Sequence, residues 1–132
     1  MPEIEYGFST YVTHWKNKEN VIISVHHISS VEPIRFEQVG VVELGYYKNG
    51  EHEGEALVWN LYVNEEHRHK GFARWLMNKA HEMAKELGAK TTALEWSLRE
   101  SPFWVFDWYC RLGYDEKEIG PGSSLMRRPL SQ

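Results

Sequence analysis

The hydrophobic period of this 132-residue chain first changes just after residue 63, and that change limits the fold more than any other feature. Before it, β-branched and aromatic residues gather in runs that read as strands: Ile4 to Thr13, Val21 to Ser29, Phe36 to Tyr47 and Glu55 to Val63. The polar stretch Lys16 to Asn20 reads as a hairpin loop, and Lys48-Asn49-Gly50 as a turn. Four strands with short connections imply an antiparallel meander. After it, Phe72, Trp75, Leu76, Ala80, Met83 and Leu87 recur at helical spacing, and Gly88 stands where a helix-ending glycine belongs. The spacing predicts a helix over Gly71 to Leu87.

The remaining elements are shorter. Thr91 to Ser97 reads as a fifth strand, and a right-handed crossover through the helix would lay it parallel to the fourth. Ser101-Pro102 reads as a helix start, with Ser101 as N-cap and Pro102 in the first turn. That helix runs to Leu112 and stops at Gly113. Strands near Tyr114–Glu118 and Ser123–Arg128 close the chain. The order ββββαβαββ is an α/β arrangement: helices packed on a mixed central sheet, with an N-terminal meander.

Length is that of one domain, 1–132, large enough for a single core without disulfides. One cysteine, Cys110, excludes a disulfide framework within the chain and favours a reducing, cytoplasmic compartment. Met1 to Thr10 lacks the basic-then-apolar pattern of a secretion signal, and no apolar run reaches the ~20 residues of a membrane span. The formal net charge of −4 disfavours nucleic acid and suits a cationic partner such as an amine. Aromatic residues make up 14% of the chain and read mainly as core. Cys110 reads as a small packed side chain. The seven histidines show no ligand spacing, so no metal is expected.

The segment between Val63 and the long helix carries the chemistry. Backbone N–H groups at a helix N-terminus lack intrahelical acceptors, and the helix dipole adds partial positive charge there. The amides of Arg68 to Ala73 therefore form an anion site. Gly71 and Ala73 are small enough to admit a diphosphate, and Arg68, Lys70 and Arg74 add charge.

Leu61 to Met77, with Arg68-His69-Lys70-Gly71-Phe72-Ala73 at its centre, resembles the acyl-CoA-binding motif of the GNAT superfamily of N-acyltransferases. Downstream, Trp108-Tyr109-Cys110-Arg111-Leu112-Gly113-Tyr114 resembles the end of that family's last helix. Together the motifs span about Glu55 to Tyr114. The resemblance implies a single GNAT-like domain whose donor is acetyl-CoA and whose acceptor is an amine-bearing small molecule, peptide or protein. It divides the chain into an acceptor side (1–54), an acyl-CoA core (55–114) and closing strands (115–132). It implies that pantetheine pairs with Leu61, Tyr62 and Val63, and that the diphosphate rests on Arg68, His69, Lys70, Gly71, Phe72, Ala73 and Arg74.

Tyr109 matches the family tyrosine that points at the coenzyme A sulfur, and a phenol is a proton donor at neutral pH. Glu95, in Leu94-Glu95-Trp96 on the fifth strand, is the candidate base. A base matters because a lysine-type amine costs about 4.6 kcal/mol to deprotonate at pH 7, against about 1 kcal/mol for an α-amine. Glu53, Glu55 and Asn60 are weaker candidates for amine or cofactor contacts, with surface roles the commoner reading. The family places helices after its first strand, and this sequence has none there. The acceptor side is therefore open, or completed by a second subunit in a homodimer. Pro102 stands where the family often has a pantetheine-binding asparagine. The competing reading is a non-catalytic module that binds acyl-CoA or a protein with the same fold.

Overall fold

The computed structural model describes residues 4–15, 18–29, 33, 35–50 and 53–130. Seven strands form one sheet: β1 (Ile4–Trp15), β2 (Lys18–Ser29), β3 (Phe36–Tyr47), β4 (Glu55–Val63), β5 (Thr91–Ser97), β6 (Asp115–Gly120) and β7 (Ser123–Pro129). Among the described residues there are also two helices, α1 (Phe72–Leu87) and α2 (Phe103–Arg111), and a 3₁₀ turn at Glu65–His67. The spatial order is β1-β2-β3-β4-β5-β7-β6, antiparallel except where β4 meets β5. The expected mixed sheet and meander are therefore present, with the crossover through α1 giving the parallel pair.

Several boundaries differ from expectation, β1 running on to Trp15 and the closing strands to Gly120 and Pro129. Lys18, Glu19 and Asn20 belong to β2 rather than to the hairpin loop, and the rest of that loop, Lys16 and Asn17, lies outside the described residues. Glu19 is buried in the ladder, where its carboxylate meets Lys48 Nζ at 2.9 Å and His14 Nδ1 at 3.2 Å. The Lys48 hydrogen bond leads the interactions that hold its pKa below the usual range. At α2, Pro102 rather than Ser101 is the N-cap, in extended backbone. At α1, Gly71 is the cap and Phe72 the first helical residue. Gly88 ends α1 at φ +100°, and the Gly88 and Ala89 N–H groups close the last turn onto Lys85 and Ala84 carbonyls.

The core follows from strand alternation. Val21, Ile23, Val42, Leu44, Ala56 and Val58 point to one face and bury against Leu76, Met77, Ala80 and Ala84 of α1. The buried stripe of α1 is centred one position further round than the sequence period suggested, so it takes in Met77, His81 and Ala84. At the sheet edge, Tyr6 packs on Phe72 at 4.8 Å and Phe8 on Trp75 at 5.0 Å between ring centroids. These pairs bind β1 to the helix.

Both helices lie on this face. Trp96 shares the side of β5 taken by Thr92 and Leu94, and its ring meets Phe103 and Phe106 of α2 at 5.8 and 5.3 Å. Arg128 Nε donates to the Leu112 carbonyl at 2.8 Å, fixing the end of α2 to β7. Among the described residues no helix covers the opposite face. Tyr11, Ile22, Glu43 and Trp59 form one row across it from β1 to β4. The aromatic residues are thus less uniformly core than composition suggested: Tyr11, Phe36, Phe103 and Trp104 are exposed. Cys110 is exposed rather than packed. Partial desolvation, then Asp107, Asp115 and Glu116, push its thiol pKa up and keep it a poor nucleophile.

Candidate active site

The parallel ladder between β4 and β5 is short. It pairs Glu55 with Thr91, Ala56 with Thr92 and Leu57 with Ala93, and then stops. Beyond Leu57 the two strands splay, and the β4 edge from Val58 onward no longer pairs with β5. A bulge lies in the same stretch. Val41 pairs with Tyr62 and Glu43 with Trp59, so three steps along β4 match two along β3. Asn60 takes up the extra residue at φ +55°, the left-handed region that Asn tolerates better than most residues. Its side-chain amide donates to Glu43 Oε2 at 2.7 Å.

The splay opens a cleft of about 520 Å³ that passes through the sheet. Leu57, Trp59, Ala93 and Glu95 line it from the uncovered face, and Tyr109 and Ser101 from the helix side. Among the described residues that line it there is no lysine, arginine or histidine, whereas Glu95 and Glu100 are present.

Tyr109 is carried into the cleft by α2, which the Trp96 cluster and the Arg128 cap hold in place. Burial pushes its phenol pKa above the usual value, so it keeps its proton at neutral pH. Glu95 is exposed, on the cleft wall opposite the helices, rather than enclosed among its apolar neighbours. Glu55 is spoken for: Arg127 Nε donates to it at 2.6 Å and Thr91 Oγ1 at 3.4 Å, so it ties β4 to β5 and β7. Glu53 is exposed beside the start of β4.

At the other end of β4 the chain turns through the 3₁₀ segment into α1. His69 (φ +64°) and Gly71 (φ +86°) are both left-handed. Alternation of this kind turns successive N–H groups toward one concavity. The first intrahelical bond is from Trp75 N–H to the Gly71 carbonyl, so Phe72, Ala73 and Arg74 N–H groups have no acceptor within α1. The expected row of amides is narrower than Arg68 to Ala73, because Arg68 N–H bonds the Glu65 carbonyl. Arg68 Nε also donates to the Val63 carbonyl at 2.9 Å, and its guanidinium stands 5.6 Å from the Tyr62 ring centre. Lys70 and Arg74 are exposed around the loop.

These residues fit a coenzyme A donor. A Cβ built at Gly71 meets no atom within 4 Å, so the concavity is open where a diphosphate would lie. The open edge of β4 offers backbone groups to an extended ligand. Gly71 matters for its backbone angle rather than for space. Gly71→Ala should cost about 1–2 kcal/mol of stability from the left-handed φ, and weaken coenzyme A binding by about tenfold as the amides tilt. Urea denaturation and calorimetry would check the two effects separately.

Three features gave no usable sequence signal. The first is the Asn60 bulge with its Glu43 partner. The second is a buried polar chain: the Tyr114 hydroxyl lies 2.7 Å from His81 Nε2 and 2.9 Å from Thr92 Oγ1, joining α1 to β5 behind Tyr109. Only the position of His81 on the helical stripe could have hinted at it. The third is a group of donor atoms, from Glu37, Glu66 and His67, within 4.8 Å of one another. Glu37 and Glu66 are exposed, and water satisfies exposed carboxylates without an ion.

The fold is thus a mixed sheet split between its parallel strands, with a left-handed loop opening a helix beside the split. The model of the Acetyltransferase (GNAT) domain matches residues 31–116, well over half of the chain, and the protein belongs to the GNAT acetyltransferase family. No curated protein matches it. Solved structures share the fold at low identity. An acetyltransferase from Bacillus cereus superposes with a TM-score of 0.63 at 21% identity, over 86% of this chain and 74% of that one. The ribosomal-protein-S18-alanine N-acetyltransferase of Escherichia coli gives 0.63 at 16%, over 90% and 73%. The PaiA N-acetyltransferase of Thermoplasma acidophilum in complex with coenzyme A gives 0.63 at 17%, over 83% and 60%.

Proposed function

We propose that this protein transfers an acetyl group from acetyl-CoA to a primary amine, by direct attack in a ternary complex. The observation that carries this reading is the cleft through the sheet, with Tyr109 on one side and Glu95 on the other. Two reactants can enter such a passage from opposite faces and meet in it, which replaces a bimolecular encounter by a positioned one. Acetyl-CoA supplies the activated acyl group. The Phe72 to Arg74 amides, with Lys70 and Arg74, hold its diphosphate, and the β4 edge around Leu61 and Tyr62 holds its pantetheine arm. Part of the Val63 carbonyl's capacity is already taken by Arg68.

The acceptor comes from the uncovered face. Glu95 takes the amine proton, directly or through water, and the carboxylates of Glu95 and Glu100 in the cleft lining favour an ammonium as the species that enters. Tyr109, protonated at neutral pH, gives its proton to the departing thiolate.

Calorimetry with acetyl-CoA tests the donor, and micromolar to submillimolar binding is expected. A thiol-release screen over N-terminal peptides, polyamines, aminoglycosides and lysine peptides tests turnover and identifies the acceptor class. Binding without release on any acceptor would favour the non-catalytic module, and no binding at millimolar acetyl-CoA would defeat both readings.

A further inference from the structure

Of the two non-glycine residues with positive φ among the described residues, His69 belongs to the phosphate loop and Asn60 to the wall of the cleft. The Asn60 bulge does more than bend β4. Side chains alternate along a strand, so one extra residue reverses the face of everything after it. With the bulge, Val63 pairs with Gly40 and is buried on the helix side, while Tyr62 pairs with Val41 on the other. Without it, Leu61 to Val63 would present the opposite faces. The backbone groups that they aim at the open edge would exchange too. The bulge therefore decides which amides of β4 face the cleft.

Bulges of this shape are commonly built on glycine, which adopts the left-handed angle freely. Here asparagine takes that place, and its side chain is bonded across the strand pair to Glu43. We propose that Glu43 is a positioning residue: its carboxylate latches Asn60 in the left-handed conformation and so sets the register of the acyl-CoA-binding edge. Glu43 contributes a hydrogen-bond acceptor, and its negative charge is incidental to the role.

The latch rests on the acyl-CoA reading only for its binding arm, and three variants separate the alternatives. In Glu43→Ala, the amide resonances of Leu61 to Val63 should shift and coenzyme A should bind about tenfold more weakly by calorimetry. Glu43→Gln keeps the acceptor without the charge, and should stay within about twofold of wild type on both readouts. Adding Asn60→Gly to Glu43→Ala should restore both, because glycine holds the angle without a latch. The proposal is overturned if Glu43→Gln behaves like Glu43→Ala, if Asn60→Gly fails to restore the amide pattern, or if those amides do not move in Glu43→Ala. If the wild type does not bind coenzyme A, the proposed function fails while the amide pattern still decides the latch.

Discussion

Replacing Tyr109 with phenylalanine should lower kcat by about 10²–10⁴, the usual worth of a positioned proton donor, while acetyl-CoA affinity changes by less than about threefold. The substitution removes one oxygen from a ring otherwise held by packing: Tyr109 stands 5.3 Å from the Trp108 ring and 6.0 Å from that of Tyr114. The fold and the donor site should therefore persist. Loss confined to kcat marks a group acting only on the way to the transition state. Equal loss in binding and turnover would instead make Tyr109 a wall of the pocket. Because burial raises its pKa, the wild-type rate should show no alkaline fall attributable to this phenol near its ordinary value of 10. Pre-steady-state thiol release against pH would measure both.

The second large effect is on acid stability. His81 is buried on α1, and burial, followed by the positive charge of Arg128, holds its pKa down to about 4 against an ordinary 6.5. The folded protein keeps the imidazole neutral over that interval, while the unfolded chain takes up a proton. The unfolded state then binds more protons, so stability falls as pH falls from about 6.5 to about 4 and is fully present above that window. The shift corresponds to about 3 kcal/mol across it. His81→Gln retains a hydrogen-bonding partner for Tyr114 without the titration, and should be less stable than wild type at pH 7.5. Its stability should decline by about 3 kcal/mol less between pH 6.5 and pH 4. Guanidinium denaturation at a series of pH values would measure this, and parallel declines in the two proteins would show that His81 is not the acid-sensitive group. The linkage bears on function because Tyr114 bridges His81 to Thr92 beneath the helix that carries Tyr109.

The elements were legible wherever their signals were local. Gly88 announced the end of α1, and the Phe72-to-Leu87 spacing announced the helix. Local signals blurred at junctions. Lys18 to Asn20 look like loop by composition, yet cross-strand pairing with β1 and β3 recruits them into β2. Ser101 is a better capping residue than Pro102 by chemistry, yet the helix begins one residue later, where Trp96 and Pro102 meet through the indole N–H. The candidate site was legible on its donor side, because that side is one continuous segment from Leu61 to Arg74. Tyr109 and Glu95 could be named from motifs, but not seen to share a cleft.

By itself, the sequence determined the order of strands and helices, the crossover that makes β4 and β5 parallel, and the glycine-bearing turn that opens α1. Each follows from periodicity or from the conformational preference of residues adjacent in the chain. Tertiary structure decided that β4 and β5 part after three pairs, that Asn60 bulges against Glu43, and that His81, Thr92 and Tyr114 close a buried chain. Those depend on register and on meetings between residues far apart in sequence, and no local preference encodes which of several registers has the lowest free energy.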